Sequence, residues 1–294
     1  MKVRNVLMFV VVVFISACST SQKMTQNTIT GDNYMAMGQY NEALNYFENN
    51  IRDLESKGKT INGEVFRKAG KSAFKLENTS KAQNYFEKAQ SLNAGNAEML
   101  LMLSDCYKEI NNLSKEISAL ENYASKYPSG NDIYKVNSRL FETCLESENW
   151  ELAEKLWNDF GSKTENDIKL LNVYLKVNLA LNNDDKTDEL ATKLLKLDAN
   201  NITALEKIGE KYFWKAENRY QKETEAYEKK KTRNQYAKLL KALEVVTADF
   251  KISMKYYKRL YKIQPDKNYA RFLGNIYARL DDKENSTYYK NRAR

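Results

Sequence analysis

The chain repeats itself. One unit opens with Gly31 and Tyr34, runs through Gly38, Tyr40 and Ala43, and reaches Phe47. A second carries Phe66, Ala69 and Gly70, then Ala82, Phe86 and Ala89. Carrying the frame forward 34 residues from Gly70 lands on Leu103-Ser104 with Tyr107. A slightly longer step reaches Leu140-Phe141, and further steps of 34 reach Tyr174-Leu175 and then Ile208-Gly209 with Tyr212. A fixed period of this length marks a stacked-repeat architecture, in which each unit buries its apolar face only against its neighbours.

Each unit reads as a pair of helices. Two prolines and 10 glycines are too few for the tight turns of a sheet protein. Small residues such as Gly70 and Ala82 let antiparallel helices approach closely, while Phe86 and Trp157 fill the space to the next unit. Asn78-Thr79-Ser80 and Asn112-Leu113-Ser114 are capping stretches that mark helix starts. These slots (aromatic, Leu-Gly, Tyr, then Ala, Phe and a closing Pro such as Pro128) resemble the tetratricopeptide (TPR) pattern over most of residues 24–292. The resemblance implies an all-α fold, a right-handed superhelix of stacked antiparallel helix pairs, with repeats over 27–201. An irregular helical bundle is the alternative. Three residues depart from the pattern: Glu116 stands in an alanine slot, and Phe141 and Leu175 stand in glycine slots.

The chemistry available is narrow. The chain has 294 residues and no histidine, which removes histidine metal sites, histidine general bases and Ser-His-Asp or Cys-His nucleophiles. Its net charge of +8 is spread along the chain, with no basic stripe of the kind that tracks a nucleic-acid backbone. Ala69-Gly70-Lys71-Ser72 lacks the earlier glycine of a phosphate loop, since Val65 stands there. Cys106 and Cys144 fall in first helices of neighbouring repeats, roughly 8 to 10 Å apart, beyond the reach of about 7 Å between disulfide α-carbons. They are expected as buried free thiols. No metal site, no cofactor and no nucleic-acid partner is expected, and the chain reads as a binding protein, not an enzyme.

The N-terminus reads as an address. Lys2 and Arg4 precede an apolar run over residues 6–15, roughly half the length needed to span a bilayer as a helix. Ile15-Ser16-Ala17-Cys18 resembles the lipobox of bacterial lipoproteins. That resemblance implies cleavage of a signal peptide over 1–17, lipidation of Cys18 and a short tether over 18–26. Cleavage leaves 45 basic and 39 acidic residues, or +6. Ser19 follows the cysteine, which by lipoprotein sorting rules implies the outer membrane, facing the periplasm.

Two surfaces are candidates for binding. In TPR solenoids the first helices line the concave face. Phe74, Leu145, Leu179 and Phe213 hold equivalent positions there, with Trp214 beside the last and Lys71, Glu142, Lys176 and Glu210 flanking them. The second surface lies where the repeat is interrupted. No glycine or proline occurs between Glu210 and Gln264, so residues 202–265 are expected as one helical hairpin with arms of about 30 residues, ahead of a capping repeat over 266–294. Leu205, Ile208, Tyr212, Ala216, Tyr220 and Tyr227 would face Tyr236, Leu240, Leu243, Thr247, Phe250, Met254, Tyr257 and Tyr261, which are spaced by fours and threes. The turn is expected near 232–234. The tip would then carry Lys229, Lys230, Lys231 and Arg233 toward anionic lipid or an acidic partner.

The functional expectation is a lipid-anchored TPR scaffold or adaptor of the bacterial envelope, serving assembly, secretion or transport through a protein or peptide partner. Two alternatives make different demands. A carboxylate-pair enzyme acting on glycans needs two close carboxylates in a deep pocket, and a surface glycan-binding lipoprotein needs exposed aromatic platforms.

Overall fold

A computed structural model describes residues 30–164 and 166–294; the expected signal peptide, Cys18 and tether lie outside them. The described residues form 14 α-helices in seven antiparallel pairs. These are α1 (Gly31–Ala36) with α2 (Tyr40–Ser56), α3 (Gly63–Lys75) with α4 (Thr79–Ser91), α5 (Ala97–Glu109) with α6 (Leu113–Lys126) and α7 (Ile133–Glu146) with α8 (Trp150–Phe160). Then come α9 (Ile168–Ala180) with α10 (Asp184–Leu197), α11 (Ile202–Lys229) with α12 (Arg233–Ile263) and α13 (Lys267–Arg279) with α14 (Lys283–Arg292). The architecture is an all-α TPR-like superhelix.

Each pair is set by one contact. A Cβ added to Gly70 would lie 2.6 Å from the Phe86 ring, and one added to Gly31 would lie 2.5 Å from Phe47. Only hydrogen fits in these slots. Twelve residues beyond Gly274 the slot's partner is Ser286, whose hydroxyl donates to the Gly274 carbonyl at 2.9 Å. Ser253 makes the same bond to Gly209 at 2.7 Å. The slot residue is larger in three of the other pairs, Ser104, Leu175 and Phe141. Phe141 is nonetheless fully buried, among the rings of Trp157, Phe160 and Tyr174.

The turn inside each pair is equally regular. The seventh residue after the slot has positive φ: Gly38, Glu77, Asn111, Glu148, Asn182 and Asp281. In five of the six pairs the next residue is an Asn or Asp whose side chain accepts from a backbone N–H at the start of the second helix: Asn78, Asn112, Asn149, Asn183 and Asp282. The remaining one of the six has Gln39, which makes no such cap, and in the seventh pair, α11 with α12, the two positions are Ala216 and Glu217 and the helix runs on through both. The hairpin appears as expected, with arms of 28 and 31 residues. Its turn is residues 230–232, slightly earlier than expected, so Arg233 opens α12 instead of lying in the loop.

The expected α12 seam holds only near the body. Phe250 and Tyr257 are buried, but Tyr236 is 48% and Leu240 46% exposed. Val246, Ser253 and Leu260 take the buried line instead. Beyond the body α12 has only α11 to pack against, and two helices alone cannot cover a full stripe.

Cys106 and Cys144 are buried free thiols, and burial pushes each thiol up to about 12. Gly70 sits in a helix-packing slot, which settles the apparent phosphate-loop fragment as structural.

Glu77 pays for its φ of 58° with the strain an L-residue feels in the left-handed region. Glu77→Gly is expected to raise stability by about 0.5 kcal/mol, since the relieved strain slightly exceeds the extra unfolded-state entropy of glycine. Glu77→Val should lower it by about 1 kcal/mol or more. Urea unfolding checks both, as shifts in midpoint at constant slope.

Candidate functional site

Successive first helices touch, α3 with α5 and α7 with α9, as the inner side of a curved stack requires. On that side Phe74, Leu145 and Leu179 are half-buried against the core. They do not form one continuous row, because the equivalent residue of the third repeat is the exposed Lys108. Of the flanking residues, Lys71 pairs with Glu98 at 2.6 Å and Glu142 with Lys169 at 2.5 Å, while Lys176 and Glu210 are exposed.

Phe213 differs from the surface residue the sequence suggests. It is 5% exposed, with its ring edge-on to Phe250 at 5.8 Å and to Phe272 at 4.8 Å. The next first helix, α13, brings Phe272 over it. Trp214, one residue on, is 47% exposed, and its indole N–H donates to Glu210 at 3.2 Å.

These residues line a trough between α11 and α13 made of two adjoining hollows. One, about 330 Å³, is lined by Glu206, Glu210, Tyr257, Gln264, Asp266, Asn268, Tyr269 and Phe272. The other, about 380 Å³, is lined by Phe213, Trp214, Glu217, Gln221, Asn275, Ala278 and Arg279. Aromatic rings form the floor, with Phe272 stacked on Tyr257 at 4.4 Å. One end is acidic. Glu206 accepts from the Tyr269 hydroxyl, and burial together with that carboxylate pushes the hydroxyl above its ordinary range. Among the described residues no cation pairs with Glu206, Glu210 or Asp266. The other end is closed by Glu217, which Arg279 grips through two nitrogens while Gln221 donates to it at 3.0 Å. The Arg279 guanidinium also lies 4.2 Å over the Tyr220 ring.

The array holds a second buried ion pair. Glu116, the acid in an alanine slot, is 1% exposed and receives Arg139 on both oxygens, at 2.6 and 3.1 Å. Asp105 lies nearby, and burial holds its carboxyl above the usual carboxylate range. With Glu116 locked by Arg139, the two carboxylates do not make the free acid–base pair that a glycan hydrolase needs. Sequence reasoning missed Arg139, Glu217 and Arg279, and the acid in the alanine slot was the signal that could have led to Arg139.

At the hairpin tip, Lys231 pairs with Glu228 at 2.8 Å and Lys229 approaches Glu225 at 3.9 Å. Lys230 and Arg233 are exposed.

No protein-family model matches the sequence, and no curated protein sequence matches it. Solved structures do resemble the fold. The C-terminal part of a TPR repeat-containing protein from Cytophaga hutchinsonii is similar over 90% of this chain and 92% of that one, at 15% identity and a TM-score of 0.52. A tetratricopeptide repeat protein from Parabacteroides merdae aligns over 90% and 89%, at 13% identity and a TM-score of 0.43. PilF from Pseudomonas aeruginosa aligns over 77% and 88%, at 11% identity and a TM-score of 0.46. The first of these establishes the TPR-like fold.

The Glu217 clamp carries a pH signature. Burial alone would raise its carboxyl, but the hydrogen bonds from Arg279 and Gln221 outweigh burial and hold it below its ordinary 4.5. Its stabilising contribution is therefore complete above the ordinary carboxylate range and lost as pH falls through the depressed value. Glu217→Gln should flatten the acid limb of the stability–pH curve below about pH 4.5, read by thermal unfolding across the acid range.

Proposed function

We propose that this chain is a lipid-anchored scaffold of the bacterial envelope that holds an extended segment of a partner protein in the trough between α11 and α13. One observation carries the reading: an open aromatic floor beside an exposed Trp214, with the uncompensated carboxylates of Glu206, Glu210 and Asp266 at one end. An apolar side chain laid against Trp214 and Phe272 would exclude water from both rings. A basic residue next to it would meet the acidic end. Buried aromatic anchors with a polar surround are where binding energy concentrates in such interfaces. The lipobox-like Ile15-Ser16-Ala17-Cys18 supports the anchor, and Ser19 supports an outer-membrane, periplasm-facing placement.

Trp214→Ala is expected to weaken partner binding at least roughly tenfold while leaving stability nearly unchanged, because the indole is half exposed. Phe213→Ala should instead cost about 3 kcal/mol or more of stability, as core truncations do. A photocrosslinker at position 214 in intact cells identifies the partner. The same proteins crosslinked equally from Tyr288, on the far helix α14, would sink the trough. Trp214 is also the platform a glycan-binding protein would use. Glycan fragments that quench its fluorescence, with no protein crosslinked, would move the site to that alternative.

The anchor has its own test. Wild-type protein should take up a fatty-acid analogue and begin at Cys18, and Cys18→Ser should take up none. An unlabelled wild-type chain with a different N-terminus would remove the anchor and leave the trough untouched.

A further inference from the structure

We propose that the tip of the α11–α12 arm is a peripheral docking point for an anionic lipid surface. The positions at which the other pairs turn correspond here to Glu217 and Asp249, so the residues between them stand beyond the turns of their neighbours by about 20 Å. From Lys229 to Leu243 the sequence holds Lys229, Lys230, Lys231, Arg233, Lys238 and Lys241 and no carboxylate. Two of these cations lean on acids of α11, Lys231 on Glu228 and Lys229 on Glu225, and the other four have no carboxylate partner among the described residues. α12 starts with Arg233 and carries no acidic residue in its first turn, so the positive end of the helix dipole adds to the same field.

Charge alone would describe a solvated turn. The second observation is apolar. Tyr236 and Leu240, one helical turn apart on α12, are 48% and 46% exposed, and Tyr227 holds the Tyr236 ring at 5.6 Å. Apolar side chains ringed by lysine and arginine at a projecting end match an interface between headgroups and acyl chains. There the cations meet lipid phosphates and the ring and leucine enter the hydrocarbon edge. A protein partner fits less well. A stable interface takes about 800 Å² from each side, and a tip two helices wide offers only part of that, whereas a membrane needs no matching shape. The same arm length would hold the repeat body off the surface.

The test reads the tip directly, whatever the N-terminal segment does. In the full chain carrying Cys18→Ser, an environment-sensitive fluorophore is attached at Ala237→Cys or, as a control, at Ala180→Cys; native Cys106 and Cys144 are buried. Vesicles of phosphatidylcholine with phosphatidylglycerol should blue-shift the 237 probe, and phosphatidylcholine alone should not. The shift should reverse with salt. Replacing Lys229, Lys230, Lys231 and Arg233 with Gln should weaken it at least roughly tenfold in lipid concentration, with the helical signal unchanged. Tyr236→Ser with Leu240→Ser should abolish the blue shift. No shift on anionic vesicles, an equal shift on neutral ones, or an equal shift at position 180 overturns the proposal. A shift with soluble polyglutamate but not with vesicles also overturns it, in favour of an acidic polypeptide.

Discussion

The whole array hangs on how closely two helices of a pair can approach. Where the slot is glycine, the second helix sets a phenylalanine or a serine directly against the first helix's backbone, as Phe86 does at Gly70 and Ser286 at Gly274. That distance decides where the next pair must sit, because each pair presents its outer faces to the following one. Filling the slot does not break the fold. Phe141 is fully buried, its ring set among Trp157, Phe160 and Tyr174.

A departure at one slot is answered by the next repeat. Glu116 cannot stay ionised in an alanine slot without a partner, and Arg139 of the following first helix supplies two hydrogen bonds. Shorter ties of the same kind run up the stack. Glu48 accepts from Tyr85 and Lys81, and Glu87 accepts from Tyr107 and Lys115. These bonds orient neighbouring pairs more than they stabilise them, since most are partly exposed and screened.

The sequence made legible what is local and left obscure what depends on the neighbouring repeat. Slot residues, cap residues and the uninterrupted run from Glu210 to Gln264 are short-range signals, and they gave the pairs, the helix starts and the hairpin. The groove was harder to read. Phe74, Leu145, Leu179 and Phe213 share a position within their repeats, yet their exposure is set by what the next first helix carries. Lys108 breaks the row, and Phe272 covers Phe213 and leaves Trp214 as the open face. The α12 seam failed for the same reason. A fixed spacing names one stripe, but burial needs a third helix, and beyond the body there is none.

The hairpin also shows why one repeat can grow an arm without disturbing its neighbours. Its Gly209 slot still meets Ser253, so the body of the pair is built like the others although 44 residues separate the two. The change is confined to the turn. Ala216 and Glu217 replace the left-handed residue and its Asn or Asp cap, and nothing stops α11. That puts two carboxylates, Glu217 and Asp249, inside the pair at the level where its neighbours meet water. Both are buried and both are met by cations, Glu217 by Arg279 of the next repeat and Asp249 by Lys215 at 3.1 Å. An unpaired charge at either position would cost several kcal/mol, roughly what removing one partner of a buried pair costs. The base of the arm is thus tied to the capping repeat, while its tip is held by α11 and α12 alone. The Glu217–Arg279 pair that makes this tie also closes one end of the aromatic trough, so the base of the arm and the trough share a residue.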